Sequence, residues 1–153
     1  MADDSEIAIG ELKRADHSLY VTLKYTKTVD VIKNAIKRLI SALDHSANAI
    51  LNTLKENKKV KDIPDAPVSR FEFLPVAFKK DKELSKKMQD YVTFYYLLRK
   101  LDKAPFKARE EYRKNITLIT PDFDVKIVFL TRLFKKTKEF VKFAYEFSGG
   151  KND

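Results

Sequence analysis

The stretch "VDVIKNAIKRLISALDHSANAILNTLKEN", Val29–Asn57, decides the fold. Ile32, Ile36, Leu39, Leu43, Ile50 and Leu54 recur at helical spacing and fall on one long stripe. Neither glycine nor proline interrupts the stretch, and those are the residues that most often end a helix. A helix with one apolar stripe is stable only when something covers it. The rest of the chain therefore has to supply the cover.

Before this helix, Glu6 to about Tyr25 repeats the pattern with Leu12, Ala15, Leu19 and Leu23. Thr28 stands where a cap of the long helix belongs, unless the two helices run on with a bend. After it, "NKKVKDIPDAPVS" reads as a loop, and a short helix follows around Phe71–Phe78, weakened by Pro75. Asp81 to about Leu101 forms the next long helix, with Leu84, Met88, Tyr91, Tyr95 and Leu98 on one side. Tyr91, Phe94, Tyr95 and Tyr96 spread around its circumference, so it is either central or covered in part by a partner. Pro105 suits the first turn of a further helix, Pro105 to about Lys114.

"ITLITPDFDVKI" then alternates with period two around Pro121-Asp122, which predicts a small hairpin. An isolated hairpin is marginal, so it should lie against the helices. From about Val128 the last helix gathers Leu130, Leu133, Phe134, Phe140, Val141, Ala144 and Phe147 on one face, and Ser148-Gly149-Gly150 ends it. The expected fold is mainly α: a bundle of four to five helices with one small β-hairpin before the last. It is read as a single domain over 1–153, with flexible ends at 1–5 and 149–153.

A chain of 153 residues with 44% hydrophobic content is enough for one well-packed core. No apolar run approaches the eighteen or so residues of a membrane span. The acidic opening "MADDSEIAIGELKRAD" does not read as a secretory leader, and the absence of cysteine excludes disulfides and thiolate metal sites. A cytoplasmic location is expected.

Several chemistries lose their basis. His17 and His45 are the only histidines, and helical spacing puts both opposite the apolar stripes, as surface residues. Asp16-His17 and Asp44-His45 would meet only if the first two helices packed antiparallel. No ligand set has metal-site spacing, and no serine sits on a strand-to-helix elbow. Phosphate loops need glycines, and none lies between Gly10 and Gly149. No cofactor is expected.

Charge is the remaining signal. The net charge is +9, yet residues 1–50 carry seven Lys/Arg against seven Asp/Glu, so the excess lies beyond residue 50. Arg132, Lys135, Lys138 and Lys142 share the side of the last helix opposite its phenylalanines. Arg99, Lys100, Lys103, Lys107, Arg109, Arg113 and Lys114 crowd the preceding region. Such clusters bind phosphates by releasing counterions. The plainer alternative is a solvated lysine-rich face, with Lys135–Glu139 and Lys142–Glu146 as i,i+4 pairs.

"RADHSLYVTLKYTKTVDVIKNAIKRLISALDHSANAIL", Arg14–Leu51, resembles the first two helices of HEPN-type bundles. The resemblance extends in outline to the helix expected to end near Arg113. It implies a four- or five-helix bundle, often a homodimer, whose active members cleave RNA with an arginine followed a few residues later by a histidine. Arg113 can be laid on that arginine, with Lys114 and Asn115 just after it. The histidine is missing, since Leu118, Ile119 and Thr120 follow instead. General acid–base chemistry near neutral pH would lack its usual supplier, so the reading leans away from catalysis.

Two functions are expected from these residues. One is a non-catalytic module binding RNA, ribosomal or transfer RNA among the candidates, through Arg99, Lys103, Arg109, Arg113, Lys114, Asn115, Arg132, Lys135, Lys138 and Lys142. The other is a helical interaction module, a homodimer or the partner of an acidic or nucleotide-handling protein, with a degenerate ribonuclease-type site. No membrane partner is expected.

Overall fold

The computed structural model describes residues 3–19, 29–110, 116–121 and 124–149. Its elements, in chain order, are α1 (Asp4–His17), α2 (Val29–Glu56), α3 (Pro67–Ala77), α4 (Lys82–Lys103), β1 (Lys107–Glu110), β2 (Ile116–Ile119), β3 (Asp124–Val125) and α5 (Ile127–Phe147). The fold is mainly helical, with a small antiparallel sheet before the last helix.

The long central helix is α2, and the predicted stripe is what it buries. Ile32, Ile36, Leu39, Leu43, Ile50 and Leu54 are all in the core, and Ala35, Ala42, Ala47 and Leu51 widen the covered face. Each fully buried Ile or Leu contributes about 1.5–3 kcal/mol relative to leaving it in water. The other helices surround α2, which touches α1, α3, α4 and α5.

On one side lies α1. Asp3 caps it, its carboxylate accepting the Glu6 N–H at 2.9 Å and the Ser5 hydroxyl at 2.7 Å. Part of the expected flexible end, Asp3 to Ser5, is therefore the start of a helix. The residues facing inward are Ser5, Ala8, Glu11 and Ala15. Three of them are small, which lets α1 approach α2 closely. The buried Glu11 carboxylate is matched by Arg14 at 2.8 Å and Arg38 of α2 at 3.2 Å. Asp4 meets His45 while Glu11 meets Arg38, so the two helices run antiparallel. The expected continuation of α1 to Tyr25, and the Thr28 cap, lie outside the described residues.

On the other side α3, α4 and α5 close the bundle around a cluster of rings. Phe71 of α3 stacks on Tyr95 of α4 with centroids 4.2 Å apart and rings 2° from parallel. Phe140 of α5 packs on Phe71 at 5.2 Å and on Tyr91 of α4 at 4.8 Å. Tyr91, Phe94 and Tyr95 are all buried, whereas Tyr96 is exposed. The aromatic spread on α4 thus reflects a helix covered from several directions. Helix α3 begins four residues earlier than expected because Pro67, with φ already fixed, occupies its first turn. Pro75 falls in its last turns, where one lost backbone bond matters least. Helix α4 is capped by Asp81, whose carboxylate accepts the Leu84 N–H at 3.1 Å. At the far end of α5, Gly149 takes a left-handed φ of 95° and closes the helix as the sequence predicts.

The helix expected over Pro105–Lys114 is a correction. Ala104 leaves α4 with extended backbone, φ −65° and ψ 143°, as the residue before a proline favours. Lys107–Glu110 then form β1, antiparallel to β2, with Lys107 opposite Ile119 and Glu110 opposite Ile116. This charged stretch has good helix formers but no apolar stripe to bury, and the unpaired edge of β2 offers its backbone a ladder instead. The predicted hairpin is present as β2 and β3, with Leu118 opposite Val125 and Ile119 opposite Asp124. Leu118 and Val125 are fully buried, which docks the sheet on the bundle.

Candidate nucleic-acid interface

On α5 the buried residues Leu130, Leu133, Thr137, Phe140, Val141 and Ala144 form one face. At 3.6 residues per turn, Arg132, Lys135, Lys138 and Lys142 fall on the opposite arc. All four side chains are exposed. None of them forms an ion pair among the described residues, so neither Lys135–Glu139 nor Lys142–Glu146 is made.

The acid that could have neutralised Lys135 is turned elsewhere. Glu139 lies near the Tyr91 phenol on α4, and its charge acts there. Burial pushes the Tyr91 phenol up to about 12, and Glu139 adds to the effect. Lys136 bends the same way and lies over the Tyr91 and Phe94 rings at 5.5 and 5.6 Å. Lys87 of α4 covers Phe143 at 5.4 Å. The seam between α4 and α5 therefore uses up its own charges, and the outward stripe keeps its four.

The other predicted contacts are placed unevenly. Lys103 is exposed in the last turn of α4, and Arg109 stands on β1 opposite Thr117. Arg113, Lys114 and Asn115 lie outside the described residues. Arg99 is half-buried and leans on its own helix. Its guanidinium packs over the Tyr95 ring at 5.6 Å, with Nη1 3.4 Å from the hydroxyl. That hydroxyl donates to Asp44 of α2 at 2.6 Å. Burial raises the Asp44 carboxyl above its ordinary range, against the lowering pull of Tyr95, Arg99, His45 and Arg70. The Tyr95 phenol is pushed up for the same reason, reinforced by the carboxylate beside it. Arg99 thus serves as a counter-charge to the partly buried Asp44.

His45 also departs from the surface reading. It is half-buried, with Nδ1 2.8 Å from Asp4, and Asp4 is in turn 3.5 Å from the Asn52 amide. The apolar stripe of α2 puts His45 on the polar side, and only the docking of α1 there encloses it. His17 is exposed, at the other end of α1. Among the described residues no three His, Asp or Glu side chains converge as metal ligands, and no helix is long and apolar enough to cross a membrane.

The arrangement can hold a row of anionic groups by charge. Comparison with protein-family models, with curated proteins and with solved structures finds no match to this chain.

Proposed function

We propose that the chain is a non-catalytic RNA-associated module, binding the phosphates of single-stranded RNA through the α5 stripe. The observation that carries this reading is the stripe itself. Four exposed cations share the arc opposite the buried face, and none of them forms an ion pair among the described residues. Lys103, and the run from Arg109 through Arg113, Lys114 and Asn115, extend the basic region along the chain. Ribosomal and transfer RNA stay among the candidates, since phosphate contacts position a ligand without reading its bases. The HEPN-type resemblance supports the same direction, with the cleaving function lost along with its histidine.

Reversing two charges, Lys135→Glu with Lys138→Glu, tests it. Affinity should fall by a similar factor for every RNA sequence, and the salt dependence should flatten, because each phosphate contact contributes about 0.7 to the slope on single strands. Both side chains are exposed, so stability should change by less than about 1 kcal/mol. Sequence-selective loss, or no loss at all, would overturn the reading. Bound RNA should be recovered intact. Cleavage that disappears in Arg113→Ala would show that a catalytic site had been overlooked.

A further inference from the structure

The loops on either side of α3 enclose an open cleft of about 740 Å³. Its floor is apolar: Leu54 from the end of α2, Phe73 and Phe78 from α3 and just past it, Leu84 from α4, and Phe147 from the end of α5. Val76, more than half exposed at 55%, stands at the mouth. The aromatic wall is braced, since Phe78 meets Phe147 edge-on at 5.5 Å and Phe147 stacks on Phe143 at 5.7 Å.

Four lysines surround this floor. Lys59 and Lys61 come from the α2–α3 connection, and Lys79 and Lys80 from the α3–α4 connection. All four are exposed, and none forms an ion pair among the described residues. Of the two lining acids, Asp62 and Asp81, the second is held by its cap bond to the Leu84 N–H. The loops that carry the lysines are fixed by their own backbone. Lys59 N–H donates to the Leu54 carbonyl at 2.8 Å, and Asp81 N–H donates to Phe78 at 2.9 Å. The Ser85 hydroxyl ties α4 to the Pro75 carbonyl at 2.8 Å.

We infer that this cleft binds an amphipathic anion, one apolar alkyl or aryl body carrying a carboxylate or phosphate head. The volume lies within the range of small-molecule sites, about 300–1,000 Å³. An apolar body leaves water against the Phe and Leu floor, and the head stays at the rim among lysines that are already solvated and carry no partner. The rim lysines belong to the two loops and none lies on α5, which sets this site apart from the α5 stripe.

Calorimetric titration of the whole chain with dodecanoate and with dodecyl phosphate, both below micelle formation, tests it. The two anions cover the carboxylate and phosphate sources of the same chemistry. One-to-one binding is expected for at least one of them, at least about tenfold tighter than for dodecyltrimethylammonium, whose head the rim repels. Lys79→Glu with Lys80→Glu should weaken the anion by a similar factor. Val76→Asp should do the same without unfolding the chain, because Val76 lies at the surface. Lys135→Glu with Lys138→Glu should leave this binding as it was, which separates the cleft from the RNA stripe. No binding by either anion, equal binding of the cationic amphiphile, or tighter binding of adenosine monophosphate would each overturn the inference. So would an affinity indifferent to the Lys79 and Lys80 reversals.

Discussion

Asp44 shows how one residue sets the terms for its neighbours. Its carboxylate is taken partly out of water, and the Tyr95 hydroxyl at 2.6 Å compensates part of that cost. Tyr95→Phe keeps the stack on Phe71 and removes only the donor. A lost hydrogen bond to a charged group should cost about 1.5–3 kcal/mol at neutral pH, read as a lower urea midpoint with unchanged slope. The raised folded-state pKa of Asp44 fixes the sign of the pH effect. The unfolded chain releases this proton first, so stability falls as pH rises from the ordinary carboxylate value of 3.8 through the raised one. Below both values Asp44 is neutral in either state, and Tyr95→Phe should then cost less. A cost independent of pH would show that the carboxylate is not what the hydroxyl serves. None of this was legible in the sequence. Asp44 sits beside the apolar stripe, and its partner Tyr95 comes from an element far along the chain.

At the scale of elements, caps and stripes were legible, and pairing was not. Asp81 and Gly149 act locally, so the ends they mark could be read directly. The bounds of α2 and α4 followed from the spacing of their apolar residues. Lys107–Glu110 could not be read this way, because their conformation depends on a strand that comes later. Two substitutions probe this level. Leu118→Ala removes a side chain that is fully buried under the sheet and should destabilise by about 2–5 kcal/mol. A loss well under 1 kcal/mol would mean that the sheet is not docked. Asp3→Ala removes the α1 cap and should cost about 0.5–2 kcal/mol. The carboxyl of Asp3 is held below its ordinary value, first by the Glu6 N–H and then by Ser5. Its stabilising share is present above the unfolded value and lost as pH falls through the lower folded one. The difference between wild type and Asp3→Ala should therefore narrow in acid, as measured by thermal unfolding at a series of pH values.

Across the whole molecule, charge is sorted by depth. The carboxylates of Glu11 and Asp44 are matched where they are buried, while Arg132, Lys135, Lys138 and Lys142 of α5 and the lysines of the two loops beside α3 face outward. The excess of +9 was visible in composition, and so was the α5 stripe, because one helix carries it. The lysine-rimmed cleft was not, since Lys59 and Lys80 are brought together only by folding. The central claim is that the outward charge on α5 contacts RNA phosphates. It is tested most directly by the affinity for generic single-stranded RNA as salt is raised from about 50 mM, a concentration permissive for such contacts. With about four phosphates neutralised, log K should fall against log salt with a slope of roughly −3. Absence of binding at about 50 mM salt, with the protein folded by circular dichroism, would contradict the claim and leave the stripe to an acidic protein partner.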